Sequence, residues 1–149
     1  EEIRKSLGTP NKEKNITKDK YSYKELIYDG LTVTLKEFYN DYMLVGVKVT
    51  SNKYDVARNI KVNDSITKTM KKFKVQNKKG TYMYGNYTYK ALSDDEITET
   101  IYFGARNSSK VLYVNKDAAV NNEESNISKL NIYYKLGKIT KIEWSYDFE

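Results

Sequence analysis

The 149-residue chain has no Cys and no His. Without Cys there is no disulfide framework and no thiol nucleophile. Without His the commonest general base is missing, and a Ser-His-Asp constellation cannot form. Together the two absences exclude a Cys/His zinc site. Pro occurs once, at Pro10, and the seven Gly are scattered singly, so there is no glycine-rich phosphate loop. Arg occurs three times against 23 Lys. Arg is the residue that forks best onto phosphate and base edges, so nucleic acid is not an expected partner. No apolar run approaches the roughly 18–20 residues of a membrane span, and no signal-peptide pattern is visible. A non-enzymatic protein is expected, with no catalytic, cofactor-binding or metal-ligating residues.

What is present suits one modest domain. Hydrophobic residues make up 39% and charged residues 31%, enough for a core and against wholesale disorder. Fifteen of the twenty aromatics are Tyr. The net charge of +6 is unevenly spread: +2 over residues 1–60, +7 over 61–92 and −3 over 93–149. The chain opens on Glu1-Glu2 rather than Met, and an upstream segment is therefore expected.

Ile3 and Leu7 stand four apart, as on one helix face, and Gly8 and Pro10 stop that helix. Residues 11–20 are polar and Lys/Asn-rich and read as loop. Period two then predicts strands over 21–28, 31–37 and 42–51, with turns at Asp29-Gly30 and Asn40-Asp41. Met43, Val45, Val47 and Val49 fall on one face of the third strand. Asp64-Ser65 is a helix N-cap, followed by Ile66, Met70 and Phe73 on one stripe, with a stop at 77–80. Tyr82, Tyr84, Tyr87 and Tyr89 mark strand, broken near Gly85-Asn86. Residues 97–103 and 110–115 suggest a hairpin, and 127–135 and 138–146 another across Leu136-Gly137. Leu130, Ile132, Ile139, Ile142 and Trp144 are core candidates.

Tyr21-Ser22-Tyr23-Lys24-Glu25-Leu26 is echoed by Tyr87-Thr88-Tyr89-Lys90-Ala91-Leu92. Leu31 and Val33 match Leu130 and Ile132, and 47–51 loosely match 142–146. The expected fold is α+β: a tandem repeat of a short helix packed on an antiparallel β-meander. The first unit is 1–60, and the second is 61–149 with an inserted hairpin at about 93–125.

Asn59-Ile60-Lys61-Val62-Asn63-Asp64-Ser65 before a short amphipathic helix resembles the I-x-V-G-D-S opening of small secreted repeats. Those repeats are the beta-lactamase-inhibitor-protein-like class, akin to SmpA/OmlA outer-membrane lipoprotein domains. Leu7-Gly8-Thr9-Pro10 is similar to the L-G-x-P that ends their helix; Asn63 and Lys74 stand where Gly would be expected. The resemblance implies a secreted or lipid-anchored bacterial envelope protein with a binding role. Its partner would be a protein at the cell envelope, and membrane contact would come only through an upstream lipid anchor.

Two surfaces are candidates for binding. Tyr21, Tyr23, Tyr82, Tyr84, Tyr87 and Tyr89 recur at alternate strand positions, and rigid amphipathic rings suit protein contact. Lys68, Lys71, Lys72, Lys78 and Lys79 form a basic patch. Tyr and Lys together could instead hold a cell-wall glycan or anionic polymer. Asp94-Asp95-Glu96-Glu99 and Glu123-Glu124 read as acidic surface loops.

Overall fold

A computed structural model describes residues 1–56, 58–72, 81–90, 97–105 and 128–146; over 81–90 and 100–105 the description is of the backbone. In chain order the elements are α1 (Glu2–Leu7), β1 (Lys12–Lys18), β2 (Tyr21–Tyr28), β3 (Leu31–Phe38), β4 (Asp41–Val49), α2 (Ile66–Met70), β5 (Thr81–Lys90), β6 (Ile97–Ala105), β7 (Ser128–Lys135) and β8 (Lys138–Tyr146). The strands form one eight-stranded antiparallel sheet in the order β1-β2-β3-β4-β8-β7-β6-β5.

Tight turns set the register. Asp19-Lys20, Tyr39-Asn40 and Leu136-Gly137 each place two successive residues at positive φ, the turn whose twist matches the flanking strands. The β2–β3 turn uses Gly30 at φ 77. There an added Cβ would overlap the Ser51 Cβ, while Gly30 O accepts from Thr50 N at 2.9 Å.

The expected α+β tandem repeat does not hold. The fold is predominantly β, with helices of six and five residues beside a single continuous sheet. Gly8 ends α1 at φ 81. α2 begins at Ser65, whose Oγ accepts from Lys68 N at 3.4 Å, and is over by Lys71. Residues 12–18, expected as loop, form strand β1. Residues 97–103, expected as a strand of an inserted hairpin, are strand, and 97–105 form β6, which pairs with both β5 and β7 within the one sheet. Residues 110–115 and Phe73 lie outside the described residues. Of the 21–26 and 87–92 similarity, residues 91–92 lie outside the described residues; the rest sets β2, an inner strand, against β5, the last strand of the described sheet, so it is a similarity of pattern, not of position. The expected boundary at 60/61 falls between β4 and α2, and the sheet crosses it through β4 and β8.

One face of the sheet carries the core. Leu26, Tyr28, Leu31, Val33, Val49, Leu130, Ile132, Ile139 and Ile142 are buried beneath Ile60, Val62 and Ile66 of the β4–α2 segment. Each such aliphatic side chain contributes about 1.5–3 kcal/mol on burial. Ile3 of α1 packs at its margin, and Tyr28 Oη donates to Gly8 O at 3.0 Å. The covering segment is tied to β8: Asn63 N donates to Ile139 O (2.8 Å), Ile139 N to Asp64 O (3.0 Å) and Ile66 N to Gly137 O (3.0 Å). Asn63 sits at φ 77, a conformation Asn tolerates better than most residues.

A bulge alters the expected β4 face. Thr34 is opposite Gly46 and Leu35 is opposite Leu44, so Val45 is the extra residue. Leu44, Val47 and Val49 keep the core side, whereas Met43 is opposite Lys36 on the other side.

Candidate functional site

The second face of the sheet has no element packed on it among the described residues. Strand alternation from the core residues assigns its members. Leu26 and Tyr28 are buried, so Tyr21, Tyr23, Glu25 and Ile27 take the opposite side of β2. Ile101 is opposite Leu130, so Tyr102, Thr100 and Thr98 take that side of β6. On β5, Tyr82, Tyr84, Tyr87 and Tyr89 are opposite Gly104, Tyr102, Thr100 and Thr98. By backbone register the six candidate tyrosines therefore hold positions of the same phase, two on β2 and four on β5, the last strand of the described sheet.

The β5 bulge makes this possible. The gap between Tyr84 and Tyr87 is odd, and a regular strand would put the two pairs on opposite faces. The register shifts between Tyr84 and Asn86. The shift returns Tyr87 and Tyr89 to the side of Tyr82 and Tyr84.

At the β1–β3 end the face is aromatic and cationic. Lys36 is 8% exposed, and its Nζ lies 3.9 Å from the Tyr21 ring centroid and 5.9 Å from that of Tyr23. Lys20 Nζ is 5.6 Å from the Tyr21 ring. The ring faces offset part of the cost of withdrawing the ammonium from water. Farther across, Lys141 Nζ is 4.0 Å from the Tyr133 ring. Tyr133 Oη donates to Glu143 Oε2 at 3.2 Å, and Lys141 pairs with Glu143 at 3.4 Å. Sequence reasoning did not single out Lys36, Tyr133 or Lys141. The alternation Thr32, Thr34, Lys36 against Leu31, Val33, Leu35 was the available signal for Lys36.

The basic patch lies on the other side. α2 places Ile66 in the core, so Lys68 and Lys71, both exposed, belong to the covered side of the sheet. Lys72 Nζ is engaged by Arg58 O (3.2 Å) and Asn59 O (3.1 Å), and Arg58 donates in return to Lys72 O. Lys72 thus fastens the covering loop. Lys78 and Lys79 lie outside the described residues. The tyrosines and the α2 lysines are not brought together.

Glu99 is not part of a surface loop. It is a buried β6 residue whose Oε1 accepts from Tyr134 Oη at 3.1 Å. Burial, followed by the adjacent Glu99 carboxylate, pushes the Tyr134 pKa above its ordinary value. Asp94, Asp95, Glu96, Glu123 and Glu124 lie outside the described residues. Among the described residues no group of three or more acidic side chains is placed to hold a metal ion.

A groove of about 780 Å³ opens on the covered side between α1, residues Tyr54, Asp55, Val56 and Arg58, and the sheet. Its lining includes Ile3, Leu7, Leu44, Val47, Tyr54 and Trp144. Trp144 stacks on Tyr146 with centroids 6.4 Å apart. Sequence reasoning did not anticipate the groove, because its walls come from distant segments.

No family model matches the chain, and no curated protein matches it. Among solved structures it is similar to an extracellular protein containing a SCP domain from Bacillus anthracis str. Ames. The two share 11% identity at a TM-score of 0.46, over 98% of this chain and 42% of that one. The chain thus spans less than half of that protein's length. Among the described residues no helix is long and apolar enough to cross a membrane.

Proposed function

We propose that the chain is a non-enzymatic, extracytoplasmic binding module of a bacterial envelope, and that its open tyrosine face docks a protein partner. The observation that carries this reading is the gathering of Tyr21, Tyr23, Tyr82, Tyr84, Tyr87 and Tyr89 on the one sheet face without a covering layer among the described residues. A tyrosine ring offers wide contact area with few rotatable bonds, which keeps the entropy cost of docking low. A lipid anchor upstream of Glu1, as in the lipoproteins whose motifs the chain resembles, would hold this face at the membrane.

The reading is tested by capture from an envelope extract with immobilised protein. The comparison is between the native chain, a Tyr21→Ala/Tyr23→Ala/Tyr87→Ala/Tyr89→Ala variant and a Lys68→Glu/Lys71→Glu variant, each checked for native circular dichroism. The expected result is one protein, identified by mass spectrometry, that the tyrosine variant loses and the lysine variant keeps. Equal capture by all three would remove the tyrosine face as the docking surface. Capture of a glycan or anionic polymer in place of a protein would replace the reading with a cell-wall-binding one.

A further inference from the structure

The β1 edge is basic on one face of the sheet. β1 is Lys12-Glu13-Lys14-Asn15-Ile16-Thr17-Lys18, exposed at every position, and it ends the sheet with no strand beyond it among the described residues. Its pairing with β2 is continuous and without a bulge. The register sets Lys12 opposite Ile27, Lys14 opposite Glu25, Ile16 opposite Tyr23 and Lys18 opposite Tyr21. Lys12, Lys14, Ile16 and Lys18 therefore share the open face with Tyr21, Tyr23 and the Lys36 ammonium. Among the described residues Glu25 is the one carboxylate on this part of the face, and Asp19 lies in the adjoining turn. Glu13 is on the other face, paired with Arg4.

A regular exposed edge offers main-chain N–H and C=O groups to an added strand. A second copy of this chain is a poor occupant, because antiparallel pairing of two β1 strands would bring Lys12 against Lys18 and crowd like charges. A strand with carboxylates at alternate positions is a good one. Its side chains repeat about every 6.8 Å, the same spacing as Lys12 and Lys14. We infer that the β1 edge takes an extended acidic peptide segment as a ninth strand, its alternate carboxylates set against Lys12, Lys14 and Lys18. The inference rests on the reading of the open face as a binding surface, and it names the chemistry of the partner at one end of that face.

The test is fluorescence anisotropy with a labelled, acetylated nonapeptide alternating Glu and Thr. Four competitors are used: a peptide of the same composition with its Glu residues in one block, the alternating peptide N-methylated at every second residue in each of the two phases, and inorganic polyphosphate. Proteins are the native chain, Lys12→Glu/Lys14→Glu/Lys18→Glu and Lys68→Glu/Lys71→Glu. The alternating peptide is expected to bind the native chain and the α2 variant alike, and to bind the β1 variant at least tenfold more weakly. N-methylation in the phase that blocks the edge is expected to cost tenfold or more, and the other phase little. Amide exchange should slow within Lys12–Lys18 on binding. Equal binding of the block and N-methylated peptides, or displacement by polyphosphate with no change in amide exchange, would show a charge-only site and overturn strand addition. No binding of the alternating peptide at millimolar concentration would overturn it as well. The tyrosine-variant capture would be unaffected by either failure, so the two readings fall separately.

Discussion

The two faces of the sheet are made from the same strands, often from neighbouring residues, and they have opposite fates. On β3, Leu31 and Val33 are buried while Thr32 and Thr34 between them are half-exposed. On β8, Ile139 and Ile142 are buried while Lys141 and Glu143 pair with each other. The difference lies in the path of the chain after β4. The chain does not turn back into another strand; it crosses one face and lays Ile60, Val62 and Ile66 over it. That face becomes the core, while on the other Thr32 and Thr34 are half-exposed, Tyr21 is exposed and Lys36 is buried against the Tyr21 ring. The buried apolar side chains are therefore concentrated on one side of the sheet.

Ile142→Ala should have the largest effect, because the site is 1% exposed and truncation there costs about 2–5 kcal/mol. Its open-face counterpart, Thr32→Ala, should stay within about 0.5 kcal/mol. Urea denaturation of the pair measures the contrast, and similar losses would erase the distinction between the faces. Gly30→Ala should cost about 2 kcal/mol, since it forces a side chain into positive φ and into Ser51, where the covering segment leaves the sheet. A midpoint shift no larger than that of Thr32→Ala would show that this turn does not hold the cover in place.

A pH effect should map to the rim of the covered face. The folded pKa of Tyr134 is raised, so the folded state keeps that proton longer than the unfolded chain does. Its contribution is fully present below the ordinary Tyr range and declines as pH rises through that range toward the raised value. Tyr134→Phe should therefore lose less stability than the native chain between neutral and strongly alkaline pH. Thermal melts across that range test the difference in slope. The smallest effect is expected at Leu136→Asn. Leu136 is fully exposed at φ 49, where Asn is better suited, and the gain should be about 0.5 kcal/mol or less. A loss of stability there would mean that Leu136 makes a contact the turn geometry does not suggest.

The strands with one buried face were legible in the sequence. Alternation at 31–37 and the pairing of 127–135 with 138–146 correspond closely to β3, β7 and β8. β1 was not legible, because a strand exposed at all seven positions has no apolar period to read. The irregularity near Gly85-Asn86 was marked by the sequence, but the bulge that sets Val45 out of register shifts the phase of β4 through backbone geometry, with no local signal. The junction of β4 with β8 is a pairing across about a hundred residues, carried by Gly46, Val47, Lys48 and Val49, and no local pattern announces it. The first helix and its stop at Gly8 were legible, whereas α2 was over-weighted: the cap at Ser65 marked where it begins but not that it is over by Lys71. Of the candidate site, the tyrosines were legible as a set, and their common face became evident only through the β5 register.

The proposed docking on the open face can be set against docking on the covered side in one experiment. Covalent footprinting of the protein in envelope extract, with tyrosine nitration and lysine acetylation read by mass spectrometry, reports on both faces at once. Extract should protect Tyr21, Tyr23 and the β5 tyrosines while Tyr54, Lys68 and Lys71 react as in buffer. Protection of Tyr54, Lys68 and Lys71 with unchanged labelling of Tyr21 and Tyr23 would place recognition on the covered side instead.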